Sequence, residues 1–237
     1  MKRNRLAVLA SMIFASIFCI WCTLAVASQN DETPYPRMAP LDQYLMDRDA
    51  EIALARSAAP EAISREAKVL VLGRHGYESA IEGKNGFVCV VERAWHSPPD
   101  SPEFWNPKLR GPVCLNPQAS RSILPLTYKR TEMALAGQSK AQMIEWMKTA
   151  SAKKQLPALE SGAMSYMMSK RAYLTDDGGH NLAHLMFYTP PIDGADWGAN
   201  LPNSPVTLFD KGSFQPFNIF IVPLARWSDG TPAPLPR

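Results

Sequence analysis

The chain has 237 residues, 46% of them hydrophobic, with 25 Lys and Arg against 22 Asp and Glu. Lys2, Arg3 and Arg5 precede every acidic residue, so the chain beyond residue 27 balances at 22 against 22. A neutral chain without a basic cluster has no electrostatic footprint for nucleic acid, and about 210 residues suffice for one domain with a substantial core.

After the basic start, the run from Leu6 to Ala27 is apolar and closes with Ala25-Val26-Ala27. This order describes a secretory signal peptide over residues 1–27, cleaved after Ala27, and hence a periplasmic or secreted protein. The alternative is an uncleaved membrane anchor over 6–27, because the run approaches the roughly 20 residues that span a bilayer. Membrane contact is expected through this segment alone. Residues 28–40 read as an extended tail, 41–230 as a single domain and 231–237 as a Pro-rich C-terminal tail. Of the 21 prolines, 16 gather over 34–40, 98–117, 190–205 and 232–236, and the middle two groups read as long loops over one core. Cys89 and Cys114 survive removal of the leader. An even count in an exported protein favours a bridge between them, against two buried thiols.

In chain order, Leu41, Leu45, Ile52 and Ala55 share a face and predict a helix over 42–57, stopped before Pro60. Residues 68–72 are a β-branched apolar run, hence a strand, and 77–82 a second one. The Asn85-Gly86 turn then leads into alternating residues over 87–95, with Phe87, Cys89 and Val91 set against Val88, Val90 and Glu92, the pattern of a hairpin. A short helix is expected over 131–136, ended by Gly137. Ser139 and Gln142 form a capping box that opens a helix to about residue 154. Strands are expected over 164–170, 184–188 and 217–224. No Gly-rich strand-to-helix turn is present, and strands and helices do not alternate. The fold class is therefore α+β: a largely antiparallel sheet with helices packed on one side and long Pro-rich loops.

Three constellations carry chemistry. Arg74-His75-Gly76 ends an apolar strand, as in the histidine phosphatases, where the His takes a phosphoryl group. Such a centre needs a second Arg, a second His and an acid in the same pocket. Here the motif leads into a strand rather than a helix, and the bland reading is an exposed turn. His180 and His184 stand four apart, a spacing that suits two metal ligands on one face, but no third ligand is evident. The alternative is a solvated His180 and a hydrogen-bonded His184. No serine-nucleophile motif is present. Finally, Trp95, Trp105, Tyr188, Trp197, Phe214 and Trp227 lie in or beside the Pro-rich loops, near Arg93, Asn200, Asn203 and Asp229. Rigid rings beside polar groups suit a cleft for a small molecule, glycan or peptide, with Arg93, His184, Tyr188, Trp197, Asn200 and Trp227 as its candidate residues. The competing reading is that these rings cover the core.

Asn85-Gly86-Phe87-Val88-Cys89, Val91-Glu92-Arg93, Pro112-Val113-Cys114, Gly162-Ala163-Met164, Tyr166-Met167, His184-Leu185-Met186-Phe187-Tyr188, Trp197-Gly198-Ala199-Asn200 and Trp227-Ser228-Asp229-Gly230 occur in this order. The pattern resembles an uncharacterised family of secreted bacterial proteins over most of the chain beyond the leader. The resemblance implies export, a single domain and paired cysteines, with no known reaction. Ala183 stands where that family often has Pro. The functional expectation is an exported, non-enzymatic ligand-binding or structural domain without a cofactor. The alternatives are a phosphoryl-handling hydrolase using Arg74-His75-Gly76 and a metal-binding protein using His180 and His184.

Overall fold

The apolar run that starts at Lys68 becomes β1 (Lys68–Gly73), whose four central residues are all buried. β1 turns directly into β2 (Gly76–Ile81), with Gly73 opposite Gly76 and only Arg74 and His75 between them. Gly76 sits at φ +128°, a conformation side-chain-bearing residues rarely adopt, which is why the tight turn ends on glycine. The structure is a computed structural model that describes residues 34–178, 182–210 and 215–235. The expected leader over 1–27, His180 and Phe214 lie outside these residues.

The Asn85-Gly86 turn does not close a hairpin. β3 (Val88–Glu92) lies on the far side of β1 and runs parallel to it, with Lys68 opposite Val88 and Val69 opposite Cys89. The connection crosses the start of β1 at Gly83, where a Cβ would lie 2.1 Å from the Lys68 amide nitrogen. Asn85 fixes the crossing, its Nδ2 donating to the Ile63 carbonyl and its Oδ1 accepting from Phe87 N–H. β4 (Gly111–Leu115) pairs antiparallel with β3 and emerges from the Pro-rich stretch expected to be loop. Cys89 stands directly opposite Cys114, and the two form the disulfide. β5 (Met164–Met167), β6 (His184–Thr189), β7 (Thr207–Asp210) and β8 (Asn218–Pro223) complete an eight-stranded sheet of order β2-β1-β3-β4-β5-β6-β8-β7, in which every described pairing except β1–β3 is antiparallel.

Both faces of the sheet are covered by helices, which corrects the one-sided expectation. Val69, Cys89, Val91 and Cys114 face Leu54 and Ala55 of α1 (Arg48–Arg56), near the short α2 (Glu61–Ser64). Leu70, Val88, Val90, Val113 and Leu115 face Ala119, Leu124 and Met147 of α3 (Pro117–Ser122), α4 (Leu124–Leu135) and α5 (Lys140–Ala152). The reason is local: β1 and β3 are apolar continuously rather than alternately, and such strands need cover on both sides. Two helix boundaries also differ from expectation. α1 begins after Asp47, whose side chain accepts from Ala50 N–H and so caps it, leaving residues 42–46 outside the helix. α4 begins at Leu124 with a proline in its first turn, well before residue 131. The Ser139–Gln142 capping box opens α5 as expected.

Candidate functional site

β6 and β8 pair in register, with Phe187 opposite Phe220 and Thr189 opposite Asn218. Directly opposed residues project from the same face of a sheet, so these four share the face turned away from α3–α5. After β6 the chain returns over this face. Asp193 caps a short 3-10 helix, Gly194–Trp197, by accepting from Ala195 N–H at 3.0 Å. Trp197 then stacks on Phe220, with ring centroids 4.5 Å apart and planes 22° apart, and meets Phe187 edge-on at 6.0 Å. Asn200, in a left-handed conformation, ties the loop to β7: its N–H donates to the Val206 carbonyl and its Oδ1 accepts from Leu208 N–H.

Between this loop, β7 and β8 lies an open cleft of about 600 Å³, lined by Ile192, Asp193, Ala199, Asn200, Leu208 and Asn218 among others. Asn218 is 2% exposed. Its Nδ2 donates to the Ile192 carbonyl at 2.8 Å, which fixes the amide orientation and leaves Oδ1 as the remaining acceptor. That Oδ1 is buried without a hydrogen-bond partner among the described residues, and so is the Thr189 Oγ1 opposite it. Each buried, unsatisfied polar atom costs about 1–3 kcal/mol. The two atoms stand on one cross-strand pair, of which Asn218 belongs to the cleft lining, and such unsatisfied groups are rare in native folds.

The other candidate residues do not converge on this cleft. Tyr188 points to the opposite face of β6, where its hydroxyl bonds to Ser165 Oγ at 2.9 Å and burial pushes the phenol pKa up. His184 lies on Tyr188's face at the other end of β6. Its Nδ1 lies 2.7 Å from the Leu182 carbonyl, so Nδ1 carries the proton, and burial lowers the ring's pKa. Trp227 follows β8 at the His184 end, and its N–H donates to the Thr231 carbonyl. Arg93 is fully buried, with Nη2 on Glu51 Oε1 at 2.8 Å and Nε on the Tyr44 carbonyl. Asn200 therefore lines the cleft and Trp197 sits in the loop between its lining residues Ala195 and Ala199, while Tyr188, His184, Trp227 and Arg93 stand elsewhere.

Arg74 and His75 form the exposed β1–β2 turn, and Arg74 pairs with Asp42 at 2.6 Å. β1 and β6 are four strand positions apart, roughly 19 Å along the sheet, so His75 and His184 do not face a common space. His180 lies outside the described residues. Among the described residues no three His, Cys, Asp or Glu side chains cluster as metal ligands do.

A second polar centre escapes sequence reasoning. Glu92 ends the helix-facing series Val88, Val90, Glu92, and Thr127 Oγ1 donates to its Oε1 at 3.4 Å. Glu92 keeps a narrow solvent-accessible edge, yet the surrounding protein is dense enough for burial to raise its pKa to about 7, with Arg130 and Thr127 opposing the shift. Arg130 is lowered to about 10 by burial, against the pull of Glu92 and Asp210, and its Nη2 donates to the Ser97 carbonyl. His96 Nδ1 accepts from Arg93 N–H, so its proton is on Nε2, which faces the Thr127 carbonyl at 3.1 Å. Burial foremost, and then Arg130, lower the His96 pKa to about 3. The available sequence signals are a carboxylate on an apolar strand face and the buried stripe Thr127, Arg130, Thr131 and Ala134 on α4.

Compared with known proteins, the chain matches no family model, no curated protein and no solved structure.

Proposed function

We propose that this chain is an exported ligand-binding domain whose site is the cleft over the β6–β8 ladder. The observation that carries the reading is a pair of buried oxygens without a partner among the described residues: Asn218 Oδ1, on a residue that lines the cleft, and Thr189 Oγ1, on its cross-strand neighbour. Polar atoms left bare at a cost to stability are characteristic of sites that a ligand completes. The basic start, apolar run and Ala-x-Ala end of residues 1–27 support export. So does the Cys89–Cys114 disulfide, a bond that persists in oxidising compartments. The resemblance to secreted bacterial proteins points the same way. No helix of the described residues is long and apolar enough to cross a membrane.

A thermal-shift screen of small polar compounds tests the binding. Some compound is expected to raise the melting temperature of the wild type and to lose that effect in Thr189→Val. Compounds that stabilise both proteins equally would place the site elsewhere. N-terminal sequencing of the exported protein is expected to begin at Ser28, and an intact Met1 would make the segment an anchor instead.

A further inference from the structure

Building on the cleft reading above, we infer that the ligand is a neutral saccharide, recognised by Asn218, Thr189 and Trp197. Asn218 Oδ1 can only accept a hydrogen bond, and Thr189 Oγ1 can both donate and accept. The Trp197 indole N–H can only donate, and it makes no hydrogen bond within the described chain. Together they offer acceptor, donor and dual-purpose groups without a formal charge, and the one carboxylate of the lining, Asp193, has its Oδ1 engaged by Ala195 N–H and adds an acceptor for hydroxyl donors. A sugar hydroxyl donates and accepts at once, so a row of them satisfies such a mixed set, whereas a ligand with acceptors alone leaves Asn218 Oδ1 bare.

The aromatic component fits the same ligand. Trp197 is 39% exposed, one of the few large hydrophobic side chains in the described chain to be so open. Its inner face rests on Phe220, with Phe187 beneath its edge. Phe187 and Phe220 are themselves cross-strand partners. The indole is therefore held on a rigid base with its other face outward, the arrangement that receives the C–H face of a pyranose. Phe220 is two residues from Asn218 along β8, about 7 Å on the same face, so the ring and the amide fall within the reach of one or two sugar units. Ile192, Ala195, Ala199 and Leu208 add apolar wall to the cleft, and its volume lies within the range of small-molecule sites.

The test is a titration of the protein recovered from expression of the full chain against a broad panel of mono- and disaccharides. It is read by tryptophan fluorescence and by the Asn218 side-chain amide resonance. At least one saccharide is expected to bind saturably and to shift that resonance. Thr189→Val and Trp197→Ala are each expected to weaken it about tenfold or more. Trp197→Phe, which keeps the stack and loses the N–H, is expected to weaken it less than Trp197→Ala. If no saccharide binds, while an amide, amine or carboxylate from a fragment library does and is weakened by Thr189→Val, the cleft is a ligand site and the saccharide assignment is overturned. If nothing binds and Thr189→Val only raises the melting temperature, both the assignment and the cleft reading fall.

Discussion

Thr189 and Asn218 stand directly opposite one another across the β6–β8 ladder, and each presents a buried side-chain oxygen that nothing among the described residues satisfies. Neither oxygen is needed to build the sheet, because the ladder is made by backbone groups. The fold therefore carries an avoidable cost at this pair. We assign that cost to binding.

Replacing Thr189 by valine keeps the shape and removes the unsatisfied hydroxyl. The variant is expected to be more stable than the wild type by about 1 kcal/mol in urea denaturation. A loss of stability of similar size would mean that the hydroxyl is bonded in the free protein.

The Arg93–Glu51 pair is expected to behave in the opposite way. Glu51 Oε1 accepts from both Arg93 Nη2 and the Leu72 N–H, and Arg93 also donates to the Tyr44 and Val91 carbonyls. The pair ties α1 to β1, β3 and the segment before α1. Glu51→Ala leaves a fully buried guanidinium uncompensated, and a loss of about 3–5 kcal/mol is expected by chemical denaturation. A loss below about 1 kcal/mol would show that water or movement rescues the site.

Stability is expected to depend on pH through Glu92 and His96. Burial raises the Glu92 pKa from an ordinary 4.5 to about 7, so the folded protein favours the protonated acid. The stability this contributes is complete below pH 4.5 and is lost as pH rises through 7. Glu92→Gln should remove that loss and gain up to roughly 3 kcal/mol over the wild type at pH 8. His96 has the opposite sign. Its pKa falls from 6.5 to about 3, so its contribution is complete above pH 6.5 and is lost as pH falls toward 3. Unfolding midpoints measured from pH 4 to 8 check both limbs. A Glu92→Gln profile parallel to the wild type would contradict the first.

The Cys89–Cys114 bridge closes a separation of 25 residues that contains the Pro-rich stretch before β4. In the chain-entropy model its loss costs about 3–4 kcal/mol. Reduction, or replacement of both cysteines by serine, is expected to lower the melting temperature clearly. An unchanged melting temperature under reductant would show that β3 and β4 hold their register without it.

Much of the fold is legible in the sequence where one local rule decides. The Ser139–Gln142 box opens α5, the surviving cysteines pair, and the β-branched run at Val69 becomes β1. What is not legible depends on distant partners. The Asn85-Gly86 turn looks like a hairpin, but the continuous apolar face of β3 is buried deeper by lying parallel to β1. β4 hides among prolines because Pro112 gives up only one N–H in a strand pinned by Cys114. The cleft follows the same logic. Trp197 and Asn200 are visible as a rigid ring and a loop amide. Thr189 and Asn218 are ordinary strand-end residues until the β6–β8 register sets them face to face. Arg93 reads as a loop cation until Glu51, 42 positions earlier, meets it.

A crystallographic fragment screen decides whether the cleft over β6 and β8 takes a ligand. Fragments are expected in the cleft lined by Ile192, Asn200, Leu208 and Asn218, with an N–H or O–H within about 3.2 Å of Asn218 Oδ1 or Thr189 Oγ1. A cleft that holds only an ordered water bridging those two oxygens, with fragments bound elsewhere, would contradict ligand binding there.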